Sequence, residues 1–219
     1  MKSKYLPFEI VYEDRDIVVI DKPAGLLTTH TRLHGRAARE AQPTAENMLN
    51  AYVRKGQAKS RRQVFLVHRL DRETSGVMMF AKDASLADAI RERWGELTEK
   101  TYVADVEGRI EEESGAMESW LKEDDDGYRV RSVGRGEGAK FARTEWRRIS
   151  LRGGNTRVEV ALKTGRKNQI RVHFSEAGHP VVGDVKYGAR KADGLHLRAV
   201  KLAFTHPLTG RRMVFEVPS

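Results

Sequence analysis

The chain has 219 residues, 39% of them hydrophobic and 32% charged, which suits one large globular domain or two small ones, with enough chain to bury a core. With 40 Lys and Arg against 31 Asp and Glu, the formal net charge is +9. That is the footprint of a chain that meets a polyanion, although an anionic membrane surface or an acidic protein would fit too. There is no cysteine, so thiol catalysis, disulfides and Cys-based zinc sites are excluded.

In chain order, Phe8, Ile10 and Val11 are followed by Ile17-Val18-Val19-Ile20, with the polar Glu13-Asp14-Arg15-Asp16 between them. This predicts a strand pair. Asp21-Lys22-Pro23-Ala24-Gly25 ends the second strand in a tight turn. Residues 28–43 carry few large apolar side chains and include Arg32, Arg36 and Arg39, the pattern of a surface loop. His30 and His34 have the spacing of a helical metal pair, but no third ligand candidate lies nearby, so solvated histidines and no metal are expected. Thr44 suits the N-cap of a helix over 45–55, with Met48, Leu49, Tyr52 and Val53 as its apolar stripe and Gly56 as its stop. Lys59, Arg61 and Arg62 form a basic cluster, a solvated linker alone but a phosphate contact if it lies beside the loop that follows.

Two apolar runs, Val64-Phe65-Leu66-Val67 and Val77-Met78-Met79-Phe80-Ala81, flank the polar stretch His68-Arg69-Leu70-Asp71-Arg72-Glu73-Thr74-Ser75-Gly76. Strands on either side fix such a loop while its tip stays accessible, which is how catalytic groups are commonly presented. Taken alone, Asp71 reads as a turn cap or an arginine partner. Asp83 then caps a helix whose Leu86, Ile90, Trp94 and Leu97 repeat at helical spacing. Lys100 to Val106 reads as a strand containing Tyr102. The acidic segments at 111–113 and 123–127 read as exposed turns around a hairpin. Strands resume at 140–147 and 156–162, and Thr164-Gly165 is taken to open a helix that Gly178 closes. The tail forms a hairpin turned at Pro207-Leu208-Thr209-Gly210.

His-Arg-Leu-Asp-x-x-Thr-Ser-Gly at 68–76 resembles the signature of the RluA family of RNA pseudouridine synthases. Other segments are similar to elements of that family, including Ala142-x-Thr144-x-Trp146 and the tail from Leu195 to Phe215. Four more are Asp21-Lys22-Pro23-x-Gly25, Lys100-x-Tyr102-x-Ala104, Thr164-Gly165-Arg166-x-x-Gln169-Ile170-Arg171-x-His173, and Gly178-His179-Pro180-Val181-Val182-Gly183-Asp184-x-x-Tyr187-Gly188. The resemblance runs from about residue 8 to the C-terminus. It implies an α+β pseudouridine synthase fold, with a mixed, mostly antiparallel sheet, flanking helices and a central active-site cleft. Residues 1–219 would then be a single catalytic domain without an additional N-terminal RNA-binding domain.

The resemblance also implies roles. Asp71 would be the catalytic carboxylate and Arg171 its charge partner. Tyr102 and Ile170 would sandwich the uracil, and Arg69 would fill the space left by a flipped uridine. Lys22-Pro23 would brace the Asp71 loop without doing chemistry. Asn168 departs from the histidine usual in the family and puts a supporting hydrogen bond in question. Isomerising uridine breaks the C1′–N1 bond and forms C1′–C5 with no net redox change and no leaving group, so neither cofactor nor metal is needed. Asp71 can serve as nucleophile or as base. The expected partner is RNA, ribosomal or transfer RNA stem-loops, from which the target base must be flipped.

Two other classes compete. A glycoside hydrolase needs a second carboxylate, and Glu73, the nearest in sequence, has no motif support. A non-catalytic RNA-binding protein retaining the fold would be expected to lose Asp71, Tyr102 or Arg171, and all three are present. The start of the chain lacks the apolar core of a signal peptide, and no stretch is long enough to span a bilayer. A cytoplasmic monomer is expected, with no membrane and no obligatory protein partner.

Overall fold

Alternating and continuous apolar runs set the strands of the computed structural model, which describes residues 6–30, 43–55, 57, 59–136 and 138–219. The described chain falls into two compact units, residues 6–98 with 201–218, and residues 99–200. Both follow the α+β plan, with antiparallel register in every strand pair described below.

In the first unit, β1 (Glu9–Glu13) pairs with β2 (Ile17–Lys22), and β2 pairs with β4 (Ser75–Ala81). The interior runs Ile17–Ile20 and Val77–Ala81 are buried throughout, which explains why they read as continuous apolar stretches rather than alternating ones. The run at 64–67 yields only the short strand β3 (Phe65–Leu66), paired with the end of β4. Helix α1 (Ala45–Arg54) starts where expected, Thr44 Oγ1 accepting from Asn47 N at 3.1 Å, and buries Ala45, Leu49 and Val53. Its stop is Lys55, left-handed at φ 49° with its N–H on the Tyr52 carbonyl. Gly56, the expected stop, lies outside the described residues, as does most of the 28–43 loop with His34, Arg32, Arg36 and Arg39. Asp83 caps α2 (Ala84–Glu92), but Arg93 interrupts the helical stripe before a single turn, α3 (Trp94–Leu97).

In the second unit, β5 (Thr98–Val106), β9 (Asn155–Leu162), β8 (Lys140–Arg152), β6 (Ser114–Glu123) and β7 (Val130–Val133) lie in that spatial order. The acidic turn at 124–127 joins β6 to β7 as a hairpin. Thr156, Val158 and Val160 face inward on β9, as the alternation requires. Helix α4 (Gln169–Glu176) covers this sheet through Val172, which packs with Leu121, Val130 and Ala142, and through Phe174, edge-on to Trp146. Trp146 has room because Gly115 stands opposite it, where a Cβ would approach the ring to 2.9 Å. Strand β10 (Leu197–Thr205) passes from the second unit into the first, where Lys201–Thr205 pairs with β11 (Arg212–Glu216) around the expected turn.

Candidate active site

Asp71 sits half-buried at a turn whose main chain is held on both sides. Before it, buried Leu70 donates its N–H to Thr28 Oγ1 at 3.3 Å, and the same hydroxyl donates to the Leu70 carbonyl at 2.8 Å. After it, Thr74 N donates to the Asp71 carbonyl at 3.1 Å, closing a turn over 71–74. The Arg72 carbonyl between them receives Gly25 N at 2.9 Å and Lys22 Nζ at 3.1 Å.

Lys22 is fully buried, and its ammonium spends all three protons on carbonyls: Pro23 at 2.9 Å, Leu26 at 2.7 Å and Arg72 at 3.1 Å. Burial pulls this ammonium down to about 8, while the nearby charges of Glu73 and Asp71 pull the other way. The lysine therefore ties the 21–26 turn to the Asp71 loop, which is the bracing role expected of it. Ring stacking adds rigidity behind the loop. His68 stacks on Trp94 with centroids 4.5 Å apart, and its Nε2 accepts from Met79 N at 3.0 Å. Arg69 is exposed and makes no interaction among the described residues, so its guanidinium is available to a ligand.

Tyr102, Ile170 and Arg171 belong to the second unit. Tyr102 on β5 lies opposite Val160, which lies opposite Trp146, so the three form one row across the sheet. Ile170 and Arg171 occupy the first turn of α4, both buried. Arg171 is gripped by Asp184 in a bidentate pair, Nε to Oδ2 at 2.6 Å and Nη2 to Oδ1 at 2.7 Å. Its Nη1 donates to Asn168 Oδ1 at 3.3 Å, and its guanidinium lies 5.1 Å from the Tyr187 ring centre.

Asn168 therefore does supply a supporting bond. It also donates Nδ2 to the Tyr187 hydroxyl at 2.9 Å and adopts φ 53°, a conformation that asparagine tolerates well. Residues 164–168 are a turn rather than the expected start of the helix. Gln169 organises that turn, its Oε1 accepting from Thr164 Oγ1 at 2.7 Å and Arg166 N at 3.0 Å. One turn below Gln169, His173 sits between the hydroxyls of Thr144 (2.8 Å) and Ser119 (2.9 Å), and burial keeps its imidazole below the ordinary value.

Asp184 and Tyr187 are the residues that sequence reasoning quoted without a role. The available signal was a carboxylate directly after Val181-Val182-Gly183, where a solvated acid is out of place. Gly183 itself is obligatory: its φ is 81°, and a Cβ there would stand 1.7 Å from the Gly194 carbonyl oxygen. The basic cluster of Lys59, Arg61 and Arg62 does not lie beside the Asp71 loop. Because Phe65 pairs with Ala81, the preceding linker reaches the opposite end of β4.

Each unit thus holds one candidate on its α+β scaffold: the first a half-buried aspartate on a pinned loop, the second a buried, oriented arginine. The chain belongs to the RNA pseudouridine synthases: residues 16–176, spanning both units, match the RNA pseudouridylate synthase family. The chain is thus an isomerase acting on RNA. It is 33% identical over 224 residues to YlyB of Bacillus subtilis (strain 168), named an uncharacterized RNA pseudouridine synthase, covering 97% of this chain and 69% of that protein. It is 32% identical over 230 residues to tRNA pseudouridine synthase C of Vibrio parahaemolyticus, covering 95% and 89%. The solved structure of human RNA pseudouridylate synthase domain containing 4 shares the fold, with a TM-score of 0.76 at 24% identity, covering 95% of this chain and 87% of that one. Among the described residues no helix is long and apolar enough to cross a membrane.

Proposed function

We propose that this synthase isomerises uridines in transfer or ribosomal RNA stem-loops with Asp71 as its catalytic carboxylate. The observation that carries the reading is the anchoring of the Asp71 loop. Thr28, Gly25 and the Lys22 ammonium hold its main chain, and Asp71 is left half-exposed between buried Leu70 and exposed Arg72. A group that must meet a detaching base within tenths of an ångström needs such a support. Arg171 serves as the charge partner of Asp71, its own orientation set by Asp184. Tyr102 and Ile170 hold the uracil while it is loose and keep water from the sugar. Arg69 takes the place of the flipped base, because a planar guanidinium can stack and bond phosphate together. The relative named tRNA pseudouridine synthase C, matched over most of both chains, favours transfer RNA among the substrates. The two units act as one catalytic domain, as a monomer, in the cytoplasm.

The test is tritium release from RNA labelled at uridine C5, since forming the new C–C bond must expel that hydrogen. RNA from a strain lacking the gene should release label with wild type and not with Asp71→Asn. Equal binding of that RNA by both proteins, with release by neither, would leave a binding protein on a synthase fold instead.

A further inference from the structure

Strands β2 and β4 have two ends with different chemistry. Lys22 pairs with Gly76 at the end that carries the Asp71 loop, and Ile17 pairs with Ala81 at the other. The five steps from Gly76 to Ala81 hold those ends about 17 Å apart, at roughly 3.3 Å of rise for each. At the far end, Arg15 precedes β2, Lys82 follows β4, the last turn of α1 brings Tyr52 and Lys55, and the linker before β3 brings Arg62. Arg54 Nε fixes that linker by donating to the Arg62 carbonyl at 3.1 Å. Together with Glu13 they line a groove of about 520 Å³.

Its charges do not balance. Glu13, the one carboxylate in the lining among the described residues, already accepts from Lys82 Nζ at 2.6 Å and the Tyr52 hydroxyl at 2.9 Å. Arg15, Lys55 and Arg62 are exposed, and none is paired with a carboxylate among the described residues. Other exposed cations of the described surface are matched to acids, among them Arg109 with Glu111, Arg131 with Asp124 and Arg147 with Glu159. Three adjacent unmatched cations repel one another and favour a multivalent anion. On a protein whose substrate is RNA, that anion is a run of phosphates.

We infer that this groove is a second RNA-backbone contact, gripping substrate phosphates at the end of β4 remote from the Asp71 loop, outside the stem-loop that presents the uridine. The inference rests on the family's RNA chemistry and not on the roles assigned to Asp71 or Arg171. Phosphate contacts of this kind position an RNA without reading its sequence, so the groove lengthens the footprint without narrowing the choice of site.

The test measures binding of unfractionated transfer RNA across a salt series. Each neutralised phosphate contributes about 0.7 to 0.9 to the slope of log K against log salt. R15Q/K55Q/R62Q should lower that slope by about 2 to 3. R109Q/R131Q/R147Q, which removes the same net charge from paired positions, should lower it by much less. An unchanged slope in the first variant, or an equal fall in both, overturns the inference. If the triple variant melts early, the single R62Q should still lose about 0.7 to 0.9 of slope. Because the readout is binding, absence of tritium release would count against the catalytic reading and leave this result standing.

Discussion

The Asp71 loop and the Arg171 cluster are both rigid, but they are held by opposite means. Around Asp71 the protein grips the main chain, through Lys22, Thr28 and Gly25, and the carboxylate itself stays half-exposed. Around Arg171 it grips the side chain, through a bidentate carboxylate, an amide and an aromatic face. A group that must reach a substrate needs part of its side chain open, and backbone bonds on either side add rigidity without closing it. A long, flexible guanidinium that only orients a charge can be clamped directly. The arrangement separates the residue proposed to react from the residues that position it.

That contrast can be broken at either end. The largest expected effect is on turnover in Asp71→Asn, a loss of about 10²- to 10⁴-fold in tritium release, with little change in melting temperature because the loop is held by its main chain. Next, Asp184→Ala leaves a buried guanidinium without its bidentate partner and should cost about 3–5 kcal/mol in denaturant unfolding. Little loss of stability would mean that Asn168 and Tyr187 suffice to hold Arg171. Lys22→Met takes the lysine donor from three part-buried carbonyls, of which Arg72 keeps the Gly25 N–H, and should cost about 2–3 kcal/mol, with hydrogen exchange speeding first at the Gly25 and Thr74 amides. Uniform exchange across the first unit would contradict a local clamp.

The pH prediction sharpens the same comparison. Lys22 loses its proton near 8 when folded and near 10.5 otherwise. Between those values the unfolded chain binds more protons, so this group makes stability rise with pH rather than fall. The neutral amine has only two donors for three carbonyls, so activity should decline above pH about 8 while the fold does not loosen on its account. Glu73 helps keep Lys22 charged, and Glu73→Gln should therefore move that decline to lower pH. An unmoved limb would detach it from Lys22. The smallest effect is expected at Arg147→Gln, an exposed pair with Glu159 worth less than about 1 kcal/mol in unfolding.

Local patterning carried much of the structure. Thr44 and Asp83 cap their helices because a short oxygen-bearing side chain ahead of an amphipathic run meets its free amides wherever it stands. The alternation at 156–162 and the turn at 207–210 are equally local. Where competing local signals met tertiary bonds, the tertiary bonds prevailed. Thr164-Gly165 suggested a helix start, but Gln169 captures Thr164 and Arg166 and delays the helix to 169. Arg62 is close to Asp71 in sequence and remote in the first unit, because the β3–β4 register turns the linker away.

By itself, the sequence determined the family, the Asp71 motif and the strand and helix plan, since these depend on residue type and short-range spacing. Only the tertiary structure decided that Asp184 holds Arg171, that Lys22 spends its whole ammonium on three carbonyls, and that Arg15, Lys55 and Arg62 line one groove at the far end of β4. Those depend on contacts between residues as far apart as Lys22 and Arg72, and no local periodicity encodes which buried charge meets which partner.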